Sequence, residues 1–150
     1  MIPDTIRRTI LCVDDEQDIL NTMEDTLGDR YNIKTANNAP DALKVLQDED
    51  IAVVISDQRM PLMTGTELLA EVHKIKPHCK KILLTGYTDI NAAIDAINKG
   101  AINKYITKPW ENDAIIKIVN ELVEAYNADE TMTNIILQTH NMVSLEKTEL

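Results

Sequence analysis

Thr9-Ile10-Leu11-Cys12-Val13-Asp14-Asp15 is the stretch that decides the fold: a short apolar run that stops on two acids. A strand buried on both faces of a parallel sheet reads as a continuous apolar run instead of an alternation. The residues that follow, Glu16 to Leu27, carry Ile19, Leu20, Met23 and Leu27 at helical spacing, with Gly28 as the stop. Passage from strand to helix within about two residues is the tight connection of a βα unit.

The same alternation recurs outward from this stretch. Asn32 to Ala36 reads as a strand and Pro40 to Gln47 as a helix. Ile51 to Ile55 is the most hydrophobic strand, and after the loop Asp57 to Gly65 a helix from Thr66 to Ile75 sets Leu68, Leu69 and Val72 on one face. Pro77 separates that helix from the strand Lys81 to Leu84. Ile90 to Lys99 is the next helix, with Gly100 where a left-handed C-terminal residue is expected. Lys104 to Thr107 is the fifth strand, closed by Lys108-Pro109, and Asp113 to Tyr126 is an amphipathic helix. Five βα units with right-handed crossovers and both sheet faces covered make an α/β doubly wound parallel sheet, since a barrel needs eight. Asn127 to Glu130 is polar and breaks the stripe, yet Met132, Ile135, Ile136, Leu137, Met142 and Val143 restore a helical period. The expectation is a domain over residues 1–126 and a helical tail or linker over 127–150.

At 150 residues the chain suits one domain with an appendage, and with no Phe and one Trp its core must be aliphatic. Its 25 acidic residues against 15 basic ones, a formal charge of -10, disfavour attraction to nucleic acid or to an anionic membrane. Neither direct nucleic-acid binding by this segment nor a membrane partner is expected. No run approaches the roughly 20 apolar residues of a spanning helix, and Met1 to Arg8 lacks the apolar centre of a secretory signal; the expected location is cytoplasmic. Cys12, in an apolar run, and Cys79, beside Lys80-Lys81, have no metal-type spacing and read as ordinary thiols.

Asp14-Asp15, Asp57, Thr85 and Lys108-Pro109 each follow an apolar run. The carboxyl ends of the strands are where open parallel sheets bind ligands. Three carboxylates and one amine meeting there would form a cation site facing a phosphorylatable aspartate. Taken singly, each has a plainer reading: helix caps for Asp14 and Asp15, a turn residue for Asp57, a solvated lysine for Lys108.

Together the motifs carry more. Val13-Asp14-Asp15-Glu16, Ser56-Asp57-Gln58-Arg59-Met60-Pro61 followed by Gly65, Leu84-Thr85-Gly86, and Lys104-Tyr105 with Lys108-Pro109 resemble, in this order, the receiver domain of two-component response regulators. The resemblance covers about residues 7 to 126. It implies a flavodoxin-like, five-stranded sheet of order 2-1-3-4-5 with a C-terminal helical extension. It also implies Mg²⁺ as cofactor, with Asp15 and Asp57 as direct ligands, Asp14 acting through water and the backbone carbonyl of Arg59 completing the protein's share.

By the same resemblance Asp57 is the phosphoacceptor, and Lys108 and the Thr85 hydroxyl contact the phosphoryl oxygens. Tyr105 is the aromatic switch that follows Thr85 and alters the surface of the fourth helix, fifth strand and fifth helix. The Lys108-Pro109 bond is usually cis in this family. A histidine kinase or phosphotransfer protein is the implied donor. A homodimer through that surface or through the tail helix is one expectation; packing of the tail on the domain and its leading into a partner domain are the others. The chemistry suits these residue types: phosphoryl transfer to a carboxylate brings two anions together, so positioning and charge neutralisation carry it. Mg²⁺ favours oxygen ligands in near-octahedral geometry.

Arg59 and Tyr87 depart from the commonest receiver pattern; both are large, and both are expected to flank the phosphoryl group, restrict attack by water and lengthen its lifetime. No enzymatic activity is expected beyond the chain's own phosphorylation and dephosphorylation. An aspartate-nucleophile phosphohydrolase of the haloacid-dehalogenase type wants a second acid where Arg59 stands, and a degenerate receiver acting as a binding or dimerisation module has no need of intact acids, Thr85 and Lys108. The wording SDQRMP and LTGYTD resembles receivers joined to cyclic-dinucleotide phosphodiesterase or transcriptional-activator domains.

Overall fold

A computed structural model of the protein describes residues 7–149, with side chains through Val143. Residues 1–6 and 150, which hold the outer limits of the expected domain and tail and most of the segment weighed as a secretory signal, lie outside the described residues. Strands β1 (Thr9–Val13), β2 (Asn32–Ala36), β3 (Val53–Asp57), β4 (Lys80–Thr85) and β5 (Lys104–Thr107) form one parallel sheet in the order β2-β1-β3-β4-β5. This is the expected flavodoxin-like arrangement, in which the chain reverses direction across the sheet between β1 and β3 and opens a crevice at their carboxyl ends.

Helices α1 (Gln17–Leu27), α2 (Ala39–Asp48), α3 (Gly65–Ile75), α4 (Ile90–Asn98) and α5 (Asn112–Glu149) cover both faces. Because strand side chains alternate, each strand feeds both layers. Leu11, Val13, Val54 and Leu83 meet α2, α3 and α4 through Ala42, Leu46, Leu68, Leu69, Val72 and Ala93. Ile10, Cys12, Val53, Ile55, Ile82 and Leu84 meet α1 and α5 through Leu20, Met23, Leu27, Ile115 and Val119. The two cores are aliphatic as expected, each fully buried large side chain contributing roughly 1.5–3 kcal/mol. Both thiols are buried, and burial pushes each up to about 12, which leaves them inert.

Local signals explain the helix ends. The Asn38 side chain accepts the N–H of Asp41 at 2.9 Å at the start of α2. At the end of α4, Gly100 takes φ 74, Gly100 N–H bonds to Ile97 O and Ala101 N–H to Ala96 O, the paired closure that a left-handed glycine permits.

Helix ends differ from the sequence reading by at most one residue except at the end of α5, and three elements differ in ways that carry information. β3 starts at Val53 and runs to Asp57, two residues later than the Ile51 to Ile55 run. Ile51 and Ala52 are buried ahead of the strand, while Ser56 and Asp57 are polar yet buried within it, so hydrophobicity misplaced both ends. β4 extends by one residue at either end, to Lys80 and Thr85. The interruption expected at Asn127 to Glu130 does not occur: α5 is one helix of 38 residues. Those polar residues face cations of the domain rather than ending the helix. Arg8 donates to Asn127 at 2.7 Å and pairs with Glu130 at 3.1 Å, and Lys80 reaches Asp129 at 2.6 Å.

Candidate functional site

β1 delivers Asp14 and Asp15, and β3 ends on Asp57, so the acids of neighbouring strands arrive at one edge. Carboxylate oxygens of Asp14, Asp15 and Asp57 lie within 4.8 Å of one another. From the loop after β5, Lys108 reaches in with Nζ 2.8 Å from Asp57 Oδ1 and 3.6 Å from Asp14 Oδ2. The Lys108-Pro109 peptide bond is cis. The backbone N–H of Lys108 donates to Thr85 O at 2.9 Å, tying the lysine's loop to the end of β4. Residues from three places distant in sequence thus form one cluster, three carboxylates facing one ammonium.

Asp14 is 1% exposed, and its two oxygens differ in environment. Oδ1 accepts the N–H of Glu16 at 2.9 Å, whereas buried Oδ2 has no hydrogen-bond donor. Burial pushes the Asp14 carboxyl up to about 6; the Glu16 N–H and Lys108 oppose the rise, and the charges of Asp57 and Asp15 add to it. Burial also opposes the Lys108 charge, but its hydrogen bond to Asp57 and the nearby acids outweigh that and raise it. An excess of carboxylate with an orphaned buried oxygen fits a hard cation taking oxygen ligands, as Mg²⁺ does. Asp15 is exposed, so the cluster opens to solvent on its side.

The loop after β3 is braced at its base. The Gln58 side chain, itself buried, accepts the N–H of Thr66 at 2.9 Å, and its backbone bonds to Leu84 O and the Gly65 N–H. Gly65 is required by contact: a Cβ there would lie 2.2 Å from the carbonyl oxygen of Asp57 and 2.7 Å from Leu83 Cδ1. Thr64 and Glu67 complete a reciprocal capping box at the start of α3. Sequence reasoning passed over Gln58 because a polar residue after Asp57 reads as loop; only its tertiary partners mark it. Leu62, 86% exposed, takes φ 74 in the same loop.

Thr85 is buried at the end of β4, its hydroxyl donating to Gly86 O at 3.2 Å. It lies two residues beyond Leu83, whose register partner on β5 is Tyr105. Strand alternation therefore sets Thr85 and Tyr105 on the same sheet face, and Tyr105, half-buried, packs on the core beneath α4. Of the two residues expected to flank a phosphoryl group, Tyr87 is 76% exposed. Arg59 directs its guanidinium across the rim to Asp89, Nε to Oδ2 at 2.8 Å, and to the Thr88 hydroxyl at 3.2 Å. No spacing signal relates Arg59 to Asp89.

Comparison with known proteins accords with this geometry. A family model for the response regulator receiver domain matches residues 10–120. The chain is 35% identical over 130 residues to the hydrogenase transcriptional regulatory protein HoxA of Cupriavidus necator, spanning 87% of this chain and 27% of that protein. It is 30% identical over 132 residues to the DNA-binding transcriptional regulator NtrC of Escherichia coli, spanning 87% and 28%. The signal receiver domain of an HD domain-containing protein from Pseudomonas fluorescens Pf-5 is similar in structure, with a TM-score of 0.79 at 31% identity over 87% of this chain and 96% of that one. The chain spans about a quarter of the length of the curated relatives it matches.

Proposed function

This chain belongs to the response regulator receiver domain family of two-component signalling, and on that premise we propose that it takes a phosphoryl group onto Asp57 from a histidine kinase or phosphotransfer protein. The observation that carries the proposal is the unbalanced cluster of Asp14, Asp15 and Asp57 against Lys108, with one buried Asp14 oxygen lacking a donor. Asp14, Asp15, Asp57 and the backbone carbonyl of Arg59 would hold Mg²⁺, which when bound supplies charge neutralisation for the incoming phosphoryl group.

An Asp57 carboxylate oxygen attacks phosphorus, an O–P bond forms, and the donor's P–N or P–O bond breaks with its electron pair leaving on the donor. Lys108, already 2.8 Å from Asp57, balances the added charge at the phosphoryl oxygens. The Thr85 hydroxyl then gives up Gly86 O for a phosphoryl oxygen, and Tyr105, on the same face, turns inward in response. Phosphorylation on this reading shifts a pre-existing balance of shapes.

Residues 127–150 would act as a helical connector from the receiver over 1–126, leading to an output domain of the transcriptional or phosphodiesterase kind or pairing with a second copy. The exposed Met132, Ile135, Ile136 and Met142 support a dimer through this helix, the α4–β5–α5 surface being the other candidate. No described helix is long and apolar enough to cross a membrane. A cytoplasmic location and the absence of direct nucleic-acid contact by this segment remain part of the proposal, supported by the charge of -10. Arg59 and Tyr87 would set the phosphoryl lifetime, and unchanged dephosphorylation in an Arg59→Asn, Tyr87→Ala double variant would remove them from that role.

The main reading is tested by incubation with Mg²⁺ and acetyl phosphate. The expected result is a mass gain of one phosphoryl group, lost in Asp57→Asn and on chelation of the metal. No gain in the wild type would leave a binding module in place of a signalling one.

A further inference from the structure

Asp89 stands immediately before the first residue of α4, where a carboxylate ordinarily accepts a backbone N–H of the opening helical turn. It makes no such bond, and its backbone (φ -110, ψ 10) is not extended, because the 3-10 turn Tyr87–Asp89 runs directly into α4. The starts of α2 and α3, which pack on the same sheet face, are both capped by side chains. The oxygens of Asp89 are committed elsewhere: Arg59 donates from Nε to Oδ2 at 2.8 Å and from Nη2 to Oδ1 at 3.4 Å. The same Nη2 reaches the Thr88 hydroxyl at 3.2 Å. This fork ties the loop that follows Asp57 to the Tyr87–Asp89 turn that joins β4 to α4.

We propose that Arg59 is a latch released by negative charge on Asp57, an inference that rests on the phosphoacceptor reading above. Arg59 is two residues from Asp57 in sequence and largely exposed, so its guanidinium is free to reorient. A phosphoryl group brings about -1.5 to -2 charges and three strong acceptor oxygens, and it competes with the single charge of Asp89 for the same planar fork. When Arg59 turns to the phosphoryl group, Asp89 is released to move into the extended N-cap conformation and accept the N–H of Asn91 or Ala92, which stabilises the first turn of α4. One residue with two anionic partners thereby couples the occupancy of Asp57 to the order of α4, independently of Thr85 and Tyr105. Arg59 acts as a positioning residue. Because the pair is exposed, the coupling is modest.

Beryllium trifluoride, which adds to a carboxylate with Mg²⁺ as a stable phosphoryl mimic, provides the test. It is titrated at fixed saturating Mg²⁺ into wild type, Asp89→Asn, Arg59→Gln and the double variant. Fluorescence of Trp110, the only tryptophan and a neighbour of Lys108-Pro109, and amide exchange of α4 are followed together. Asn caps helices as well as Asp, so Asp89→Asn removes the latch and retains the ability to cap.

The expected outcome is about two- to fivefold tighter binding in Asp89→Asn, a gain that disappears in the Arg59→Gln background. The amides of Asn91 and Ala92 should be protected in Asp89→Asn before any ligand is added, and in the wild type only after. Additive effects of the two substitutions, or unchanged binding in Asp89→Asn, overturn the latch and leave the phosphoacceptor reading standing. A wild type that responds in neither fluorescence nor exchange overturns both.

Discussion

The two ends of the sheet handle buried charge in opposite ways. At the amino end, Arg8 lies 5.1 Å from the Tyr126 ring and pairs with Glu130, Lys80 meets Asp129, and the ammonium of Lys81, 2% exposed, donates to Cys79 O at 2.6 Å. At the carboxyl end three carboxylates face one ammonium, and an Asp14 oxygen has no donor. Desolvation disfavours charge at both ends. Cations paired with α5 or bound by backbone serve the fold, whereas an acidic excess held beside a crevice is the arrangement that the proposed Mg²⁺ would balance.

The largest expected effect lies in the support of the acidic end. Gly65→Ala should destabilise by about 3 kcal/mol, since its methyl would overlap the Asp57 carbonyl, and urea denaturation measures the loss. A change under about 1 kcal/mol would show that the loop yields, and the acidic end would then be less rigidly built than the contact distances indicate.

Next comes Asp14. Its carboxyl is raised to about 6 from 3.8, so between those values the folded chain holds a proton that the unfolded chain releases. Stability from this group is therefore greatest below 3.8 and is lost as pH rises through 6 in metal-free protein. Asp14→Asn should erase that slope and, allowing for solvent screening, stabilise the metal-free fold at pH 7 by about 1 kcal/mol while weakening Mg²⁺ binding severely. Melting curves of variant and wild type in chelator, at pH 4.5 and pH 7, check the first claim, and Mg²⁺ titration followed by Trp110 fluorescence checks the second.

Lys81→Met sharpens the contrast from the amino end. Burial lowers Lys81 from 10.5, so the folded state favours the neutral amine and stability from this group rises as pH climbs through the lowered value toward 10.5. The variant should lose that slope and be neutral to about 1 kcal/mol more stable at pH 7. Unlike Asp14→Asn, it should leave Mg²⁺ binding intact; a loss of metal affinity would break the division between the two ends. The smallest effect is Leu62→Gly, where relief of a left-handed backbone is partly offset by the greater freedom of glycine when unfolded, for a gain of about 0.5 kcal/mol in a thermal melt.

Much of the acidic end was legible along the chain. Asp14, Asp15, Asp57, Thr85 and Lys108 each terminate an apolar run, and strand ends in a parallel sheet converge. Less of its support could be read. Gln58, Gly65 and the Arg59–Asp89 fork act through partners elsewhere in the chain, and no local periodicity encodes such pairs. At the amino end, the polar residues Asn127, Asp129 and Glu130 look like a helix break because a one-dimensional pattern cannot show that Arg8 and Lys80 wait opposite them. β3 was misplaced for a related reason: Ser56 and Asp57 are polar yet buried and so violate the apolar pattern of a buried strand.

The amino-acid sequence by itself determined the five βα units, their parallel sheet and the residue types gathered at its edge, because burial periodicity and strand-end acids are local properties of the chain. Only the tertiary structure decided which charges are neutralised and which are left in excess. Pairing depends on where side chains distant in sequence meet, and there Arg8 and Lys80 find carboxylates of α5 while one oxygen of Asp14 is left without a donor.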